Sequence, residues 1–325
     1  MAFRFCHVAA GAFALAFAAV LAPAAAQEYP SRTITMVVPQ PPGASSDLLA
    51  RTVGDGLAAA FGQSVIVDNR PGAGGNVGAA YVARAPADGY TVMVGTDAMM
   101  TSNAFLYKNM PFDPVKDFAP ITRAGANVIC LAINVELPVA SVKELIAYAR
   151  ANPGKLQYGS PGIASPHHLS GELLGQKAGI QIVHVPYRGG GPAANDLIGG
   201  HINMAFLSLS STVPQLTTGK IKILALVEKD RYPAMPEIPT IGETVPGFEM
   251  SSWLGFFAPA TTPAPLVARL NAAITRILSA DAVREKLAGL GLVVAPSTPA
   301  ELTALIKDGL AVRGALVKAA NIQPE

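Results

Sequence analysis

The residues able to do chemistry are a few histidines, some hydroxyls beside glycine, and a set of glycine-rich loops. His167 and His168 stand together at the start of a helical pattern, His184 falls on a strand pattern and His201 beside a turn. Helical metal ligands recur four residues apart on one face. Adjacent helical residues point about 100° apart, so this pairing favours packing or hydrogen bonding over a metal ion. Ser160 lies in Tyr158-Gly159-Ser160-Pro161-Gly162. A hydrolase elbow needs G-x-S-x-G; here glycine directly precedes serine, and Pro161 lacks the N–H an oxyanion hole would use. Gly72, Gly74 and Gly78 follow a strand and open a helix, but Val77 occupies the place of the third glycine of the dinucleotide fingerprint. Asp88, the candidate ribose partner, sits in an Asp-Gly-Tyr turn. No cofactor and no metal is expected, and no Ser–His–Asp order follows from the spacing.

What remains is a pattern repeated in five places: Pro42–Asp47, Gly72–Asn76, Gly95–Asp97, Gly159–Ser165 and Arg188–Gly191. Each is a small-residue loop after a strand, and most run into a helix. Ligands of open α/β sheets lie beyond the carboxyl ends of the strands. Helix N-termini there offer unpaired N–H groups and a partial positive charge. One such loop is an ordinary turn; five suggest a cleft for a small anion. Charge-assisted hydrogen bonds contribute about 1.5–3 kcal/mol each, so three or four could support a micromolar complex, which needs about −8 kcal/mol.

The elements that must position these loops alternate. Strands are expected at 33–38, 65–67 and 91–94, with helices at 45–61 and 76–83 between them, which indicates parallel βαβ units. A second block has strands at 128–134, 156–158, 182–185, 202–207 and 222–227, with helices at 141–151, 165–178 and 192–198. A strand at 251–258 and helices at 263–278, 281–290 and 298–319 complete the chain. Ser141-x-x-Glu144 and Thr298-Pro299-x-Glu301 read as capping boxes. The C-terminal strand and helices are expected to fold back onto the first block, with crossings near Ala126 and Ser252.

The 325 residues carry 24 Lys+Arg against 22 Asp+Glu, are 14% charged and 50% hydrophobic. That excludes a disordered chain, and the absence of a basic stripe argues against nucleic acid. Residues 1–26 run from Arg4 through an apolar stretch, Val8–Leu21, to Ala24-Ala25-Ala26. This is a secretory signal with cleavage expected after Ala26, and its apolar run is short for a membrane span of about 20 residues. Of the two cysteines, Cys6 lies within the signal. Cys130 sits alone in an apolar strand, so it reads as a buried structural thiol.

At the same loops the sequence resembles the substrate-binding proteins of tripartite tricarboxylate transporters, the Bug-type periplasmic receptors. The resemblance runs through Tyr29–Ile34, Val38–Asp47, Val67-Asp68-Asn69-Arg70-Pro71-Gly72-Ala73-Gly74-Gly75-Asn76, Ala87–Thr91, Tyr158–Ser160, Val185–Ala193 and Asp196–Gly200. It implies an α/β, two-lobed periplasmic binding protein of the type II, Venus-flytrap class, with mixed sheets and a two-stranded hinge. Lobe 1 would comprise 27–126 plus 253–325, and lobe 2 would comprise 127–252. It also implies a monomer that captures a mono- or dicarboxylate for membrane permease subunits, without catalysis. A sensor docking on a signalling receptor, or a secreted α/β enzyme, would be the alternatives. Family-type binding by backbone amides carries onto Gly43, Ala44, Ser45 and Asp47, onto Gly74, Gly75 and Asn76, and onto Ser160 and Ser165. Asp47 is expected to brace its helix start. Thr96, Asp97, Met99, Met100, Arg188 and Ser208 would set what lies beyond the carboxylate. Ala44 and Asn203 stand where the family usually has Gly and Asp.

Overall fold

A computed structural model describes residues 29–319 except 164, 249 and 251, together with Pro324. The signal and its cleavage after Ala26 lie outside the described residues. Two mixed sheets, each with helices on both faces, organise the chain.

The first sheet opens with β1 (Ile34–Val38), α1 (Ser45–Phe61), β2 (Val65–Asn69), α2 (Asn76–Ala83), β3 (Thr91–Thr96), α3 (Asp97–Met100) and β4 (Phe118–Asn127). The chain then enters the second sheet with β5 (Ile129–Asn134), α4 (Val142–Ala151), β6 (Leu156–Ser160), α5 (Pro166–Ala178), β7 (Ile182–Pro186), α6 (Gly190–Ile198), β8 (Met204–Ser208), α7 (Leu209–Thr212) and β9 (Ile221–Leu226). It returns through β10 (Trp253–Pro259), α8 (Ala264–Ser279), α9 (Asp281–Ala288), β11 (Leu292–Val294) and α10 (Pro299–Ala319).

The sheet orders are β11-β4-β10-β3-β1-β2 and β7-β6-β8-β5-β9. The two share a plan. In each, a parallel trio is centred on its first strand, β1 or β6. In each, the strand arriving from the other sheet, β10 or β5, inserts antiparallel beside that trio. The middle strand of a trio is where the chain changes sides, and the loops leaving such a switch point frame a crevice.

Side-chain alternation in β1 explains the layering. Ile34, Met36 and Val38 join Leu49, Val53 and Leu57 of α1 and Leu270, Ile274 and Leu278 of α8. Val37 faces the other way, into a core with Met99, Met100, Phe257, Leu302 and Ile306. Period-2 strands against period-3.6 helices give this arrangement directly. In the second sheet Leu131, Ile133 and Phe206 pack with Leu145, Leu169 and Leu174. Cys130 and Ala132 face Ala193, Ala194 and Leu197. Cys130 is free and fully buried, and burial pushes its thiol up to about 12, so it stays protonated.

Helix boundaries follow local chemistry. Gly62 stops α1 in a left-handed conformation. The Ser141 hydroxyl accepts from Glu144 N–H to cap α4. Thr298 and Glu301 bond each other reciprocally before α10. Two strands were not expected. The sequence pattern gave no strand at β4, which contains Pro120 and Gly125, nor at the three-residue β11. Both are held by antiparallel partners: β4 lies between β10 and β11, and its pairing with β10 carries two irregularities that absorb the poor strand formers.

Candidate functional site

The loops after β1, β2 and β3 and those after β6, β7 and β8 line one cavity of about 800 Å³. That is the size range of ligand pockets in general. Its floor includes Asn127 and Ser252, at the two places where the chain crosses between the sheets.

Four helices of eight residues or more begin at this cavity. The residues that precede their first turns are Ala44 for α1, Gly75 for α2, Ser165 for α5 and Gly189 for α6. All four line it. No side chain caps α1, α2 or α6. Each helix N-terminus carries unpaired N–H groups and the equivalent of about +0.5 charge. Two per sheet converge, so the cavity favours an anion without assembled cations. Arg188 is the only lysine or arginine in the described lining, and Asp97 the only carboxylate.

The first loop is braced from behind. Asp47 accepts from the Gly43 N–H at 2.9 Å, from Arg51 Nε at 3.1 Å and from Asn69 Nδ2 at 3.1 Å. Asn69 also donates to the Gln40 carbonyl at 3.0 Å. Burial alone would raise the Asp47 carboxyl. The hydrogen bonds from Arg51, Gly43 and Asn69 outweigh it and hold the group below the ordinary carboxylate range. Gly43 takes φ +83, while Ala44 is extended at φ −69 and ψ 158. The alanine therefore sits where any residue is comfortable.

The second loop needs its glycines. Gly72, Ala73, Gly74 and Gly75 all have positive φ, a run that L side chains resist. A Cβ on Gly74 would lie 2.8 Å from Tyr107 Oη. Asn103 fastens the turn by donating to the Gly74 carbonyl at 3.2 Å and to Asn76 Oδ1 at 2.7 Å.

At the third loop Asp97 is buried in an ion pair with Arg313 at 3.2 Å, and Ser252 Oγ donates to it at 3.3 Å. Burial pushes this carboxyl up to about 6, with Arg313 pulling the other way. Across the cavity the Ser165 hydroxyl accepts from the His168 N–H at 3.2 Å and donates to the Gly162 carbonyl at 2.8 Å. Ser160 Oγ lies 2.7 Å from His184 Nε2. The His184 ring stacks on His168 with centroids 3.7 Å apart. Glu172 receives the Tyr158 hydroxyl at 2.6 Å and pairs with His168 at 3.5 Å. The histidines expected to pack or hydrogen-bond do both. Among the described residues no group of three metal-ligating side chains assembles.

Of the candidate site residues, Ala44, Ser45, Gly74, Gly75, Thr96, Asp97, Ser165 and Arg188 line the cavity together, with Ser208. Gly43, Asp47, Asn76 and Ser160 stand behind the lining and shape its loops through the hydrogen bonds above. Met99 and Met100 lie in the core. Asn203 is remote from the cavity, and its Oδ1 takes the Gln157 N–H at 2.9 Å, a role an aspartate would fill equally. Sequence reasoning missed Asn103, Tyr107, Asn127, His167 and Ser252 as cavity residues. His167 carried a signal, as a histidine in the first turn of a helix whose start was recognised, and Ser252 was marked only as a crossing.

The model of the tripartite tricarboxylate transporter family receptor matches residues 49–322. Three solved structures are similar over nearly the whole chain. One is Rpa4515 of R. palustris with adipate, 36% identical, with TM-score 0.89, covering 92% of this chain and 100% of that one. Another is the periplasmic binding protein BugD, 32% identical, with TM-score 0.85, covering 91% and 100%. The third is MatC from Rhodopseudomonas palustris with bound malate, 32% identical, with TM-score 0.81, covering 89% and 100%.

Proposed function

The chain belongs to the tripartite tricarboxylate transporter receptor family, and from that membership we propose that it captures a small organic carboxylate in the cleft between its two sheets and delivers it to membrane permease subunits. The family comprises periplasmic substrate-binding receptors, not enzymes. No helix among the described residues is long and apolar enough to cross a membrane.

The observation that carries the reading is the convergence of four helix N-termini, three of them without side-chain caps, on one cavity with a single arginine. In this reading the amides of the first turns that follow Ala44, Gly75, Ser165 and Gly189 hold carboxylate oxygens, and Arg188 closes over the outer end. Gly43, Asp47, Asn76 and Ser160 shape those loops. Residues 27–126 with 253–325 form one lobe and 127–252 the other, and the two crossing strands serve as the hinge. The protein acts as a monomer in the periplasm after cleavage following Ala26. Adipate in Rpa4515 and malate in MatC support dicarboxylates as the first ligands to try.

The test is calorimetry on mature protein that has been unfolded and refolded to remove resident ligand. Titrants are adipate, malate, succinate and the neutral diamide of adipate. Micromolar binding of an acid with no response to the diamide supports the reading. Silence across the acids overturns it.

A further inference from the structure

By chain order Leu106 and α10 belong with the first sheet, yet Leu106 and the last turns of α10 are buried in the core of the second. Leu106 and Val317 sit in the core that holds Leu131, Ile133, Leu145 and Phe206, and Phe105 and Tyr107 pack against it. α10 reaches that far because one stripe of it is buried along its length. Leu302 and Ile306 lie in the core of the first sheet with Val37 and Phe257. Val317 lies about three turns beyond Ile306 on the same side of the helix, about 16 Å further along its axis. Arg313 stands between them on that stripe. It pairs with Asp97 of the first sheet at 3.2 Å and donates to the sulfur of Met250, which is buried in the second core.

Two glycines bring the helix against the turn Ser102–Phe105. Glycine inside a helix costs stability relative to alanine, and here both glycines mark close approach. A Cβ on Gly309 would lie 2.6 Å from Thr101 Cγ2, and one on Gly314 would lie 2.7 Å from Phe105 Cζ. From the same turn Asn103 donates to the Gly74 carbonyl and to Asn76 Oδ1. Tyr107, just beyond it, lines the cavity. The end of α10, residues 101–107 and the Gly74 loop thus form one packed unit. It runs from the core of the second sheet to a cavity loop of the first.

We infer that this unit is a third connection between the lobes, beside the two crossing strands, and that Leu106 and Val317 position the lobes for capture by seating it in the second core. The inference rests on the two-lobed capture reading above. A crossing strand can absorb rotation at a few residues. A helix with one stripe buried in both cores cannot follow that rotation without withdrawing a packed side chain, and packed cores do not deform continuously. Seated, the unit holds the arrangement in which loops of both sheets line one cavity. Unseated, the lobes spread. Apparent affinity then falls by the factor by which the binding-competent fraction falls.

The experiment compares Leu106→Ala and Val317→Asp with Leu145→Ala, which truncates the same core on α4, a helix that does not begin at the cavity. The readouts are small-angle scattering of the ligand-free proteins and calorimetric titration with adipate, malate and succinate. Both seating variants are expected to have a larger radius of gyration than wild type. They should also bind the acid that wild type binds best about tenfold more weakly. Leu145→Ala should lose stability in urea melts yet keep the wild-type radius and dissociation constant, which separates positioning from general loosening of the core. Either seating variant suffices if the other does not fold. Wild-type radius and affinity in a folded seating variant overturn the inference, and so does an equal loss of affinity in Leu145→Ala. Binding of no acid by wild type defeats the carboxylate reading alone. The ligand-free radii then decide the connection, and radii equal to wild type overturn it.

Discussion

Gly189 and Pro41 meet across the cleft mouth: a Cβ on Gly189 would lie 3.3 Å from Pro41 Cγ. Pro41 belongs to the loop after β1 and Gly189 to the loop after β7, one from each sheet. The rims of the cleft therefore touch, and the absence of a side chain at residue 189 sets how near they come. The same glycine sits at φ +123, which few other residues adopt, and opens α6. Its two constraints, close approach and backbone, meet at one residue.

Gly189→Leu is expected to hold the rims apart. Affinity for the acid that binds best should fall roughly tenfold or more, since the two sets of helix N-termini no longer reach one ligand. Small-angle scattering checks this directly. Wild type should contract on saturation with ligand, and the variant should contract less. An unchanged dissociation constant would show that rim contact is not part of capture.

Gly74→Val tests the second loop. The residue sits at φ +63, and a Cβ there would press on Tyr107 Oη at 2.8 Å. A β-branched residue held at positive φ costs about 1–3 kcal/mol of stability, and the displaced turn carries Gly75 and α2 with it. Binding should be lost while the far-ultraviolet circular dichroism of the folded protein is retained. A variant that binds as wild type would place the ligand away from this loop.

The parts of the site that were legible in the sequence are those whose chemistry is local. Ser165 before Pro166 announces a capped helix start, and Gly72, Gly74 and Gly75 announce a tight turn. Asp47 could be read as a brace because it falls at the start of the α1 pattern. The floor was not legible, since its residues meet only through the fold. Asn127 and Ser208 are 81 positions apart, and Asp97 and Arg313 are 216 apart. Arg313 reads as an ordinary charge on a long helix. The strand β4 hid behind Pro120 and Gly125 for a tertiary reason: a side chain at Gly125 would collide with the Val293 carbonyl of β11. That glycine signals close strand approach rather than a break.

The Asp97–Arg313 pair should behave as a buried ion pair whose halves depend on each other. Side-chain exposure is 2% for Asp97 and 9% for Arg313. Removing one partner from such a pair strands a buried charge and costs about 3–5 kcal/mol. Arg313→Met should therefore lower stability by about that amount in urea melts. Asp97→Asn combined with Arg313→Met should recover part of the loss, because no charge is left unpaired. A double variant whose loss equals the sum of the single losses would show that the two groups are not coupled.

Glu228 predicts a pH dependence of opposite sense to acid denaturation. It stands beside the first crossing, where Oε1 accepts the Ile129 N–H at 2.8 Å and Oε2 is buried without a partner. Burial raises the carboxyl from 4.5 to about 8. The folded state therefore keeps this proton up to about pH 8, while the unfolded chain releases it near 4.5. Between those values the folded protein binds more protons, so the contribution of Glu228 to stability is full below 4.5 and is lost as pH rises through 8. Glu228→Gln keeps the neutral form at every pH. Urea melts of both proteins at about pH 5 and pH 9 should agree at the acid end. They should diverge upward with the variant the more stable, by at most roughly 1.4 kcal/mol per pH unit across the window. Parallel curves for the two proteins would mean that Glu228 ionises in the fold as freely as in water.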